Sequence, residues 1–346
     1  MKKGSKYGTH RVIEPEGALP QPATKISNDM DIYDNEILID VNYLNIDSAS
    51  FTQLREEAHD DMEKVKKMIF NIVNEKGKMQ NPVTGSGGML IGKVEKIGDA
   101  LNGKINLNIG DKIATLVSLS LTPLRIDKIL NITPDIDRVE IEGKAILFES
   151  GIYAKLPEDM EDTLALAILD VAGAPAQVRN LVRTGNSVLV LGATGKSGLM
   201  CSLMAKKLVG DDGKVIGQAR NKKRAEFLES TKFCDEVIIA DVLNPLDVLN
   251  KVLETNNGKE VDISINCLSI PNTEMSSILP VKDEGIVYFF SMATEFTKAA
   301  LGAEGIGKDV KMLIGCGYAK NHVQIALDLV RESETLHKIF EQKYIN

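Results

Sequence analysis

The sequence of 346 residues contains no tryptophan, and aromatic residues make up only 5% of it. Stacking surfaces for bases or sugars are therefore not expected to dominate its function. It also lacks a long run of basic residues, and its formal net charge is −8, from 41 basic and 49 acidic residues. Because nucleic-acid phosphates require a concentrated positive face, we expect no nucleic acid as a partner. One small phosphorylated ligand in a local site remains compatible with this charge.

Cysteines are few, and no two of them form a CxxC pair or stand near a histidine at zinc-finger spacing. We therefore expect four unpaired thiols in a reducing cytoplasm and no metal. These cysteines are Cys201, Cys234, Cys267 and Cys316. Long apolar runs are also missing, since a membrane span needs about 20 such residues. The basic start at 1–6 is followed by no apolar segment, so neither a signal peptide nor a membrane partner is expected.

The pattern of apolar residues changes near residue 155. The first part predicts a β-rich domain whose strands include 36–44, 88–94 and 112–117. An amphipathic helix is predicted within an insertion at about 54–80, as a cover for one end of a barrel, a lid or a subunit contact. The second part predicts one helix over 161–182 and then alternating strands and helices from Ser187 onward.

A glycine-rich turn follows the apolar strand 187–191 and precedes a helix. Glycines at this place let the backbone approach a pyrophosphate, and the helix amino end supplies free N–H groups. The turn therefore predicts dinucleotide binding. A nucleoside-triphosphate loop is excluded, because its first glycine position holds Val190. The expected cofactor ligands in this turn are Gly192, Thr194, Gly195, Lys196, Ser197 and Gly198.

The residues after the second strand of this half bear on the choice of cofactor. An acidic residue about twenty positions after the turn would bind the ribose of NAD. Here Ala219 stands 21 residues after Gly198, and Arg220 begins a segment in which four of five residues are basic. Arg220 can hold the 2′-phosphate of NADP, although basic residues are also common at a solvated helix start. The sequence favours NADP and leaves NAD open.

Several of these segments resemble the medium-chain dehydrogenase/reductase superfamily. The similarity includes 84–98, the Gly110-Asp111 turn, the Gly192 turn and 215–220. The resemblance implies an α/β protein with a GroES-like partial β-barrel and a Rossmann domain with a doubly wound parallel sheet. It places the barrel at 1–155 and 317–346 and the Rossmann domain at 156–316. It also implies a homodimer.

The chain departs from the superfamily at the positions that bind catalytic zinc in many members. Asp47 and Gly88 stand where a cysteine and a histidine are expected, and Asp170 stands near the third ligand position. The resemblance thus implies a dehydrogenase without zinc. We expect Asp47 and Asp170 to hold an amine, and one of them to act as the base. The alternative makes Asp47 a turn-forming acid and Asp170 a helix-end residue.

Two further segments, 6–15 and 81–89, are similar to a narrower family, the dehydrogenases of 3,5-diaminohexanoate. That resemblance implies oxidative deamination at C3 of a diamino acid in lysine fermentation. His10, Arg11 and Ser48 are the expected substrate ligands, with Arg11 on the carboxylate. Ser269 and Ser291 follow strands of the Rossmann half, where contacts to the nicotinamide are expected.

Two other functions remain open from the sequence alone. One is an NADPH-dependent quinone or enoyl reductase of the same superfamily. The other is a sensor that binds the cofactor without turnover. Acidic residues near the nicotinamide favour the amine dehydrogenase, because a quinone pocket does not need them.

Overall fold

The chain forms two compact units that divide between Asp162 and Thr163. A computed structural model describes residues 1–315 and 317–345. The predicted change of pattern near residue 155 therefore lies close to the observed division. Each unit has its own sheet and its own apolar core.

The first unit is built on an antiparallel sheet of six strands in the order β6-β7-β3-β4-β5-β8. The other two strands, β1 and β2, form a separate pair. The strands are β1 (Val12–Glu14), β2 (Lys25–Ile26), β3 (Glu36–Ile46), β4 (Gly88–Ile97), β5 (Lys112–Thr115), β6 (Leu124–Thr133), β7 (Arg138–Phe148) and β8 (Tyr153–Lys155). Strands β6 and β8 end the sheet, as expected for a partial barrel.

The insertion between β3 and β4 contains two helices, α1 (Ser48–Glu57) and α2 (Met62–Lys76). The prediction of one helix in this insertion is therefore wrong. His59 and Asp60 take left-handed backbone angles, with φ of 53° and 57°, and this ends the first helix. Asp61 then starts α2, because its carboxylate accepts hydrogen bonds from two backbone N–H groups of the next turn.

The second unit contains a parallel sheet of six strands in the order β11-β10-β9-β12-β13-β14. Counted from its first strand this is 3-2-1-4-5-6, the order of a dinucleotide-binding fold. The strands are β9 (Ser187–Leu191), β10 (Lys214–Ala219), β11 (Glu236–Ile239), β12 (Val261–Asn266), β13 (Val281–Phe289) and β14 (Lys311–Ile314). The helices are α3 (Asp162–Leu169), α4 (Gly173–Leu181), α5 (Lys196–Val209), α6 (Lys222–Thr231), α7 (Pro245–Thr255), α8 (Glu274–Ile278), α9 (Phe296–Ile306), α10 (His322–Arg331) and α11 (Glu334–Tyr344).

Two details of the second unit differ from the sequence prediction. The stretch 161–182 forms two helices, α3 and α4, with a turn between them. Helices α10 and α11, predicted to belong to the barrel domain, fall within the second unit. The reason is that α10 packs on α4 and α5 and buries one face there. The domain assignment of 317–346 is corrected accordingly for its described residues.

The described cysteines are free thiols, as expected for Cys201, Cys234 and Cys267. The sulfur atoms of Cys201 and Cys267 lie 3.8 Å apart. Cys316 lies outside the described residues. In the described part of the chain, no helix is both long and apolar enough to cross a membrane.

Candidate active site

The glycine turn joins β9 to α5 and depends on glycine at two positions. Gly192 has a φ of 73°, which side chains disfavour. At Gly198, a Cβ atom would lie 2.1 Å from the carbonyl oxygen of Gly192. Helix α5 then begins after Gly195, which provides no side-chain cap for the first turn. The backbone thus forms a cradle whose N–H groups can bind a pyrophosphate.

A buried glutamine fixes this turn, and the sequence analysis missed it. Gln218 is 2% exposed and lies in β10. Its Oε1 atom accepts a hydrogen bond from the backbone N–H of Gly192 at 3.1 Å. Its Nε2 atom donates to the carbonyl oxygen of Ala240 at 2.9 Å. A long amide in an otherwise apolar inner strand was the available signal, because a buried amide must find partners.

The carboxyl ends of β9, β12 and β13 meet beside the turn. The Cys267 N–H donates to the Leu191 carbonyl at 3.0 Å, and the Ser291 N–H donates to the Asn266 carbonyl at 3.1 Å. Ser269 is exposed in the loop after β12, whereas Ser291 is 8% exposed. The strand order reverses between β9 and β12, and ligands of such sheets bind in the crevice at that point. The structure therefore brings the turn and both predicted serines to one edge of the sheet.

The groups at this edge fit a nicotinamide dinucleotide. Close approach at Gly198 suits a pyrophosphate, and Thr194 and Ser197 lie in the same turn. Arg220 is exposed directly after β10, at the position expected to meet the ribose. Asn221 begins α6 by accepting a hydrogen bond from the Arg224 N–H. This cap leaves Arg220 outside the helix.

Lys196 and Asp170, predicted for different roles, form an ion pair within the second unit. Lys196 is the first residue of α5, and Asp170 lies in the turn between α3 and α4. The ammonium of Lys196 also lies 5.6 Å from the ring centroid of Tyr344. The carboxylate of Asp170 is thus engaged by a cation at the cofactor turn.

Asp47 and Ser48 lie in the first unit, where β3 gives way to α1. Asp47 occupies the position before the first helical residue, is half-buried, and makes no side-chain cap to the helix. The Ser48 hydroxyl donates to the carboxylate of Asp137. Asp137 has a left-handed backbone with φ of 54° and precedes β7. Ser48 therefore connects the start of α1 to the turn before β7.

His10 and Arg11 do not present free donors to a substrate carboxylate. The Arg11 side chain is 2% exposed, and its Nε and Nη2 atoms donate to Glu36 at 2.6 and 2.7 Å. Its Nη1 and Nη2 atoms also donate to the carbonyl oxygens of Asp29 and Asp31. The Nδ1 atom of His10 accepts from the Ser5 N–H, so its Nε2–H donates to Glu36. The structure corrects the predicted substrate role of both residues to a structural one.

Glu36 is the buried carboxylate that organises this cluster. Burial by itself raises the pKa of Glu36. The hydrogen bonds from Arg11 and His10 together have the larger, opposite effect, so that the pKa falls from 4.5 to about 2. The Tyr33 N–H adds another hydrogen bond at 2.9 Å. A fully buried, charged glutamate at the start of β3 is stabilised only because every side of it is paired.

The backbone at Gly88 leaves no room for the histidine that the sequence resemblance associates with zinc at this position. A Cβ atom at Gly88 would lie 2.0 Å from the carbonyl oxygen of Asn45, and φ is 112°. No histidine side chain fits this position without moving β3 or β4. Across residues 1–315 and 317–345, no three histidine, cysteine, aspartate or glutamate side chains form a group able to hold a metal ion.

Comparison with solved structures shows that other proteins, among them enoyl and quinone reductases, share this fold. An enoyl reductase, CurK, is 16% identical with a TM-score of 0.54, covering 99% of this chain and 88% of its own. A mycobacterial protein complexed with NADPH is 16% identical with a TM-score of 0.55, over 89% and 87%. The quinone oxidoreductase from Coxiella burnetii is 19% identical with a TM-score of 0.54, over 90% and 88%. The GroES-like and Rossmann domains expected from the sequence are confirmed.

Sequence comparison is more specific. Residues 10–157 match the family described as the L-erythro-3,5-diaminohexanoate dehydrogenase N-terminal domain. A protein of that name from Acetoanaerobium sticklandii is 66% identical over 343 residues, covering 99% of this chain and all of the relative. One from Fusobacterium nucleatum subsp. nucleatum is 66% identical over 345 residues and covers both chains completely. The chain is thus an oxidoreductase, and it belongs to the L-erythro-3,5-diaminohexanoate dehydrogenase family.

Proposed function

We propose that this chain catalyses the oxidative deamination of L-erythro-3,5-diaminohexanoate to 5-amino-3-oxohexanoate and ammonia. The observation that carries this proposal is the 66% identity over the whole chain to two dehydrogenases of that name. The glycine cradle at Gly192 and Gly198 supports it, because the reaction requires an acceptor for the hydride. This chemistry would serve the breakdown of lysine.

The reaction assigns distinct tasks to the residues of the chain. The bound nicotinamide supplies the acceptor for the hydride that leaves C3. The C3 amine must first lose a proton, because an ammonium has no electron pair to support hydride departure, and its usual pKa is about 10. We assign this proton to the Asp47 carboxylate, which then returns a proton as water adds and ammonia leaves. Ser48, beside Asp47, is the proposed substrate hydrogen-bonding group.

The proposed activity is tested by mixing the purified protein with L-erythro-3,5-diaminohexanoate and either NAD or NADP. Reduced cofactor and ammonia are expected to form in equal amounts. 5-Aminohexanoate, which lacks the C3 amine, is the control and is expected to give neither product. If the protein instead oxidises NADPH with a quinone and leaves the diamino acid unchanged, the proposal fails in favour of a quinone reductase.

The choice between NADP and NAD depends on the proposed contact of Arg220 with the 2′-phosphate. In Arg220→Asp, the ratio of kcat/KM for NADP to that for NAD should fall by about tenfold to a hundredfold, because a charge-assisted bond is replaced by repulsion. The control Arg179→Asp makes the same change of charge at the exposed end of α4. If the ratio of the two kcat/KM values is unchanged in Arg220→Asp, another group contacts the ribose or its phosphate.

We also propose a cytoplasmic homodimer. The three described free thiols support a reducing compartment. Sedimentation equilibrium tests the assembly, with an expected mass of twice the 37.8 kDa chain. A single-chain mass at micromolar concentration would contradict the dimer.

A further inference from the structure

The ammonium of Lys196 contacts groups from distant parts of the second unit, among them Asp170 and Tyr344. Lys196 directly follows Gly195 at the amino end of α5. Its ammonium pairs with the Asp170 carboxylate, and the Tyr344 ring lies 5.6 Å away. The ion pair and the ring therefore converge on one side chain, which extends from the glycine turn.

The ion pair is partly withdrawn from water, since the side chains of Lys196 and Asp170 are 23% and 31% exposed. Asp170 is fixed at the end of α3 by a backbone hydrogen bond to the carbonyl oxygen of Leu166. An ammonium has three donors, and one carboxylate does not use them all. A pyrophosphate at the turn would take one of these three donors.

Tyr344 reaches this position from the end of α11. Its ring packs against the ring of Phe340, with 5.6 Å between centroids, and Phe340 is 1% exposed. This packing anchors the tyrosine one helical turn beyond a buried residue. An aromatic face attracts a cation within about 6 Å of its centroid. Tyr344 therefore restrains the Lys196 ammonium from a second side.

We propose that Asp170 and Tyr344 are positioning residues that hold Lys196 as a ligand for the pyrophosphate of the dinucleotide. This inference rests on the proposed function, since the dehydrogenase reaction requires that cofactor. A free lysine loses much side-chain entropy when it binds a ligand, and a lysine that is already held loses less. The proposal requires that this advantage exceed the repulsion between Asp170 and the pyrophosphate. Asp170 takes this role in place of the catalytic one predicted from the sequence.

Fluorescence titration with NADH and with NADPH, without substrate, tests this proposal. Lys196→Ala is expected to raise the Kd about tenfold or more. Asp170→Asn should raise it about threefold in the parent protein and have no further effect in the Lys196→Ala background, because Asp170 acts through Lys196. Tyr344→Leu should raise the Kd about two- to fivefold. Tyr344→Phe, which keeps the ring, should bind as the parent does.

The matched control is Glu260→Gln, which breaks another partly buried lysine ion pair of the second unit, Lys308–Glu260. Glu260 precedes β12 and so lies at the amino end of the strand, opposite the edge that holds the turn. The Glu260→Gln variant should bind NADH and NADPH with the same Kd as the parent. Circular dichroism verifies the fold of each variant, and the Tyr344 pair tests the proposal independently if Asp170→Asn does not fold.

Unchanged or tighter binding in Asp170→Asn together with unchanged binding in Tyr344→Leu would overturn the proposal. Equal effects of Asp170→Asn in the parent and in the Lys196→Ala background would also overturn it. Failure of the proposed function gives a different result, since the parent protein would then bind the dinucleotide normally but release no ammonia from the diamino acid.

Discussion

Replacing Asp47 with asparagine is expected to reduce kcat for the diamino acid by about 100- to 10,000-fold, the usual contribution of a positioned base. Asparagine keeps the size of the side chain and the start of α1, but it cannot accept the proton of the C3 ammonium. Formation of ammonia and reduced cofactor measures the effect. The Kd for the reduced cofactor should stay unchanged, because the cradle residues belong to the second unit.

Asp61→Asn provides the matched control. Asp61 also precedes a helix of the insertion, and asparagine can replace its capping bonds to the Glu63 and Lys64 N–H groups. This variant should retain parental kcat. If Asp47→Asn also keeps its turnover within about twofold, an effect far below that of a lost base, the proton is accepted by another group.

Replacing Arg11 with methionine is expected to lower the free energy of unfolding by about 3–5 kcal/mol, the usual cost of leaving one buried charge unpaired. Glu36 is fully buried, and Arg11 supplies two of its hydrogen bonds. Urea denaturation measures the loss. Arg125→Met removes an exposed pair with Asp127 and should cost less than about 1 kcal/mol. Equal losses in the two variants would contradict the structural role of Arg11.

The same cluster predicts a dependence of stability on pH. The pKa of Glu36 is lowered from 4.5 to about 2, so its stabilisation is fully present above pH 4.5 and is lost as the pH falls towards 2. The shift corresponds to about 3 kcal/mol. The Glu36→Gln side chain does not titrate, so between pH 4.5 and pH 2 the free energy of unfolding of this variant should fall less than that of the parent. A parental slope in that variant would assign the acid sensitivity to other carboxylates.

The second unit could be predicted well from the sequence because its signals are local. The buried strand 187–191 was predicted with its observed bounds, and the glycine turn joins it to a helix as predicted. The first unit was harder. Strand β6 was missed because extra residues near Lys128 and Asn131 interrupt its period of two. Strand β7 was missed as well, although alternation is visible at 138–142.

The candidate site was predicted in part. Glycine positions follow from backbone sterics, which are readable in a sequence. The partners of Arg11 and Asp170 cannot be read from the sequence, because they are distant along the chain. Glu36 lies 25 residues from Arg11, and Lys196 lies 26 residues from Asp170. An arginine that binds a substrate and one that binds a buried glutamate look the same in a sequence. Only the fold distinguishes them.

The hydrogen bonds of Gln218 bear on how this enzyme could change its cofactor. The Gln218 side chain bonds to the Gly192 N–H and to the Ala240 carbonyl oxygen, and so holds the Gly192 turn in place. Arg220, two residues later, is exposed. The proposed contact with the pyrophosphate and the proposed contact with the ribose therefore involve separate groups of this chain. We therefore expect a substitution at Arg220, which lies between β10 and α6, to alter the preferred dinucleotide while the Gly192 turn stays in place. We therefore expect that a change of cofactor preference at Arg220 would leave the fold intact.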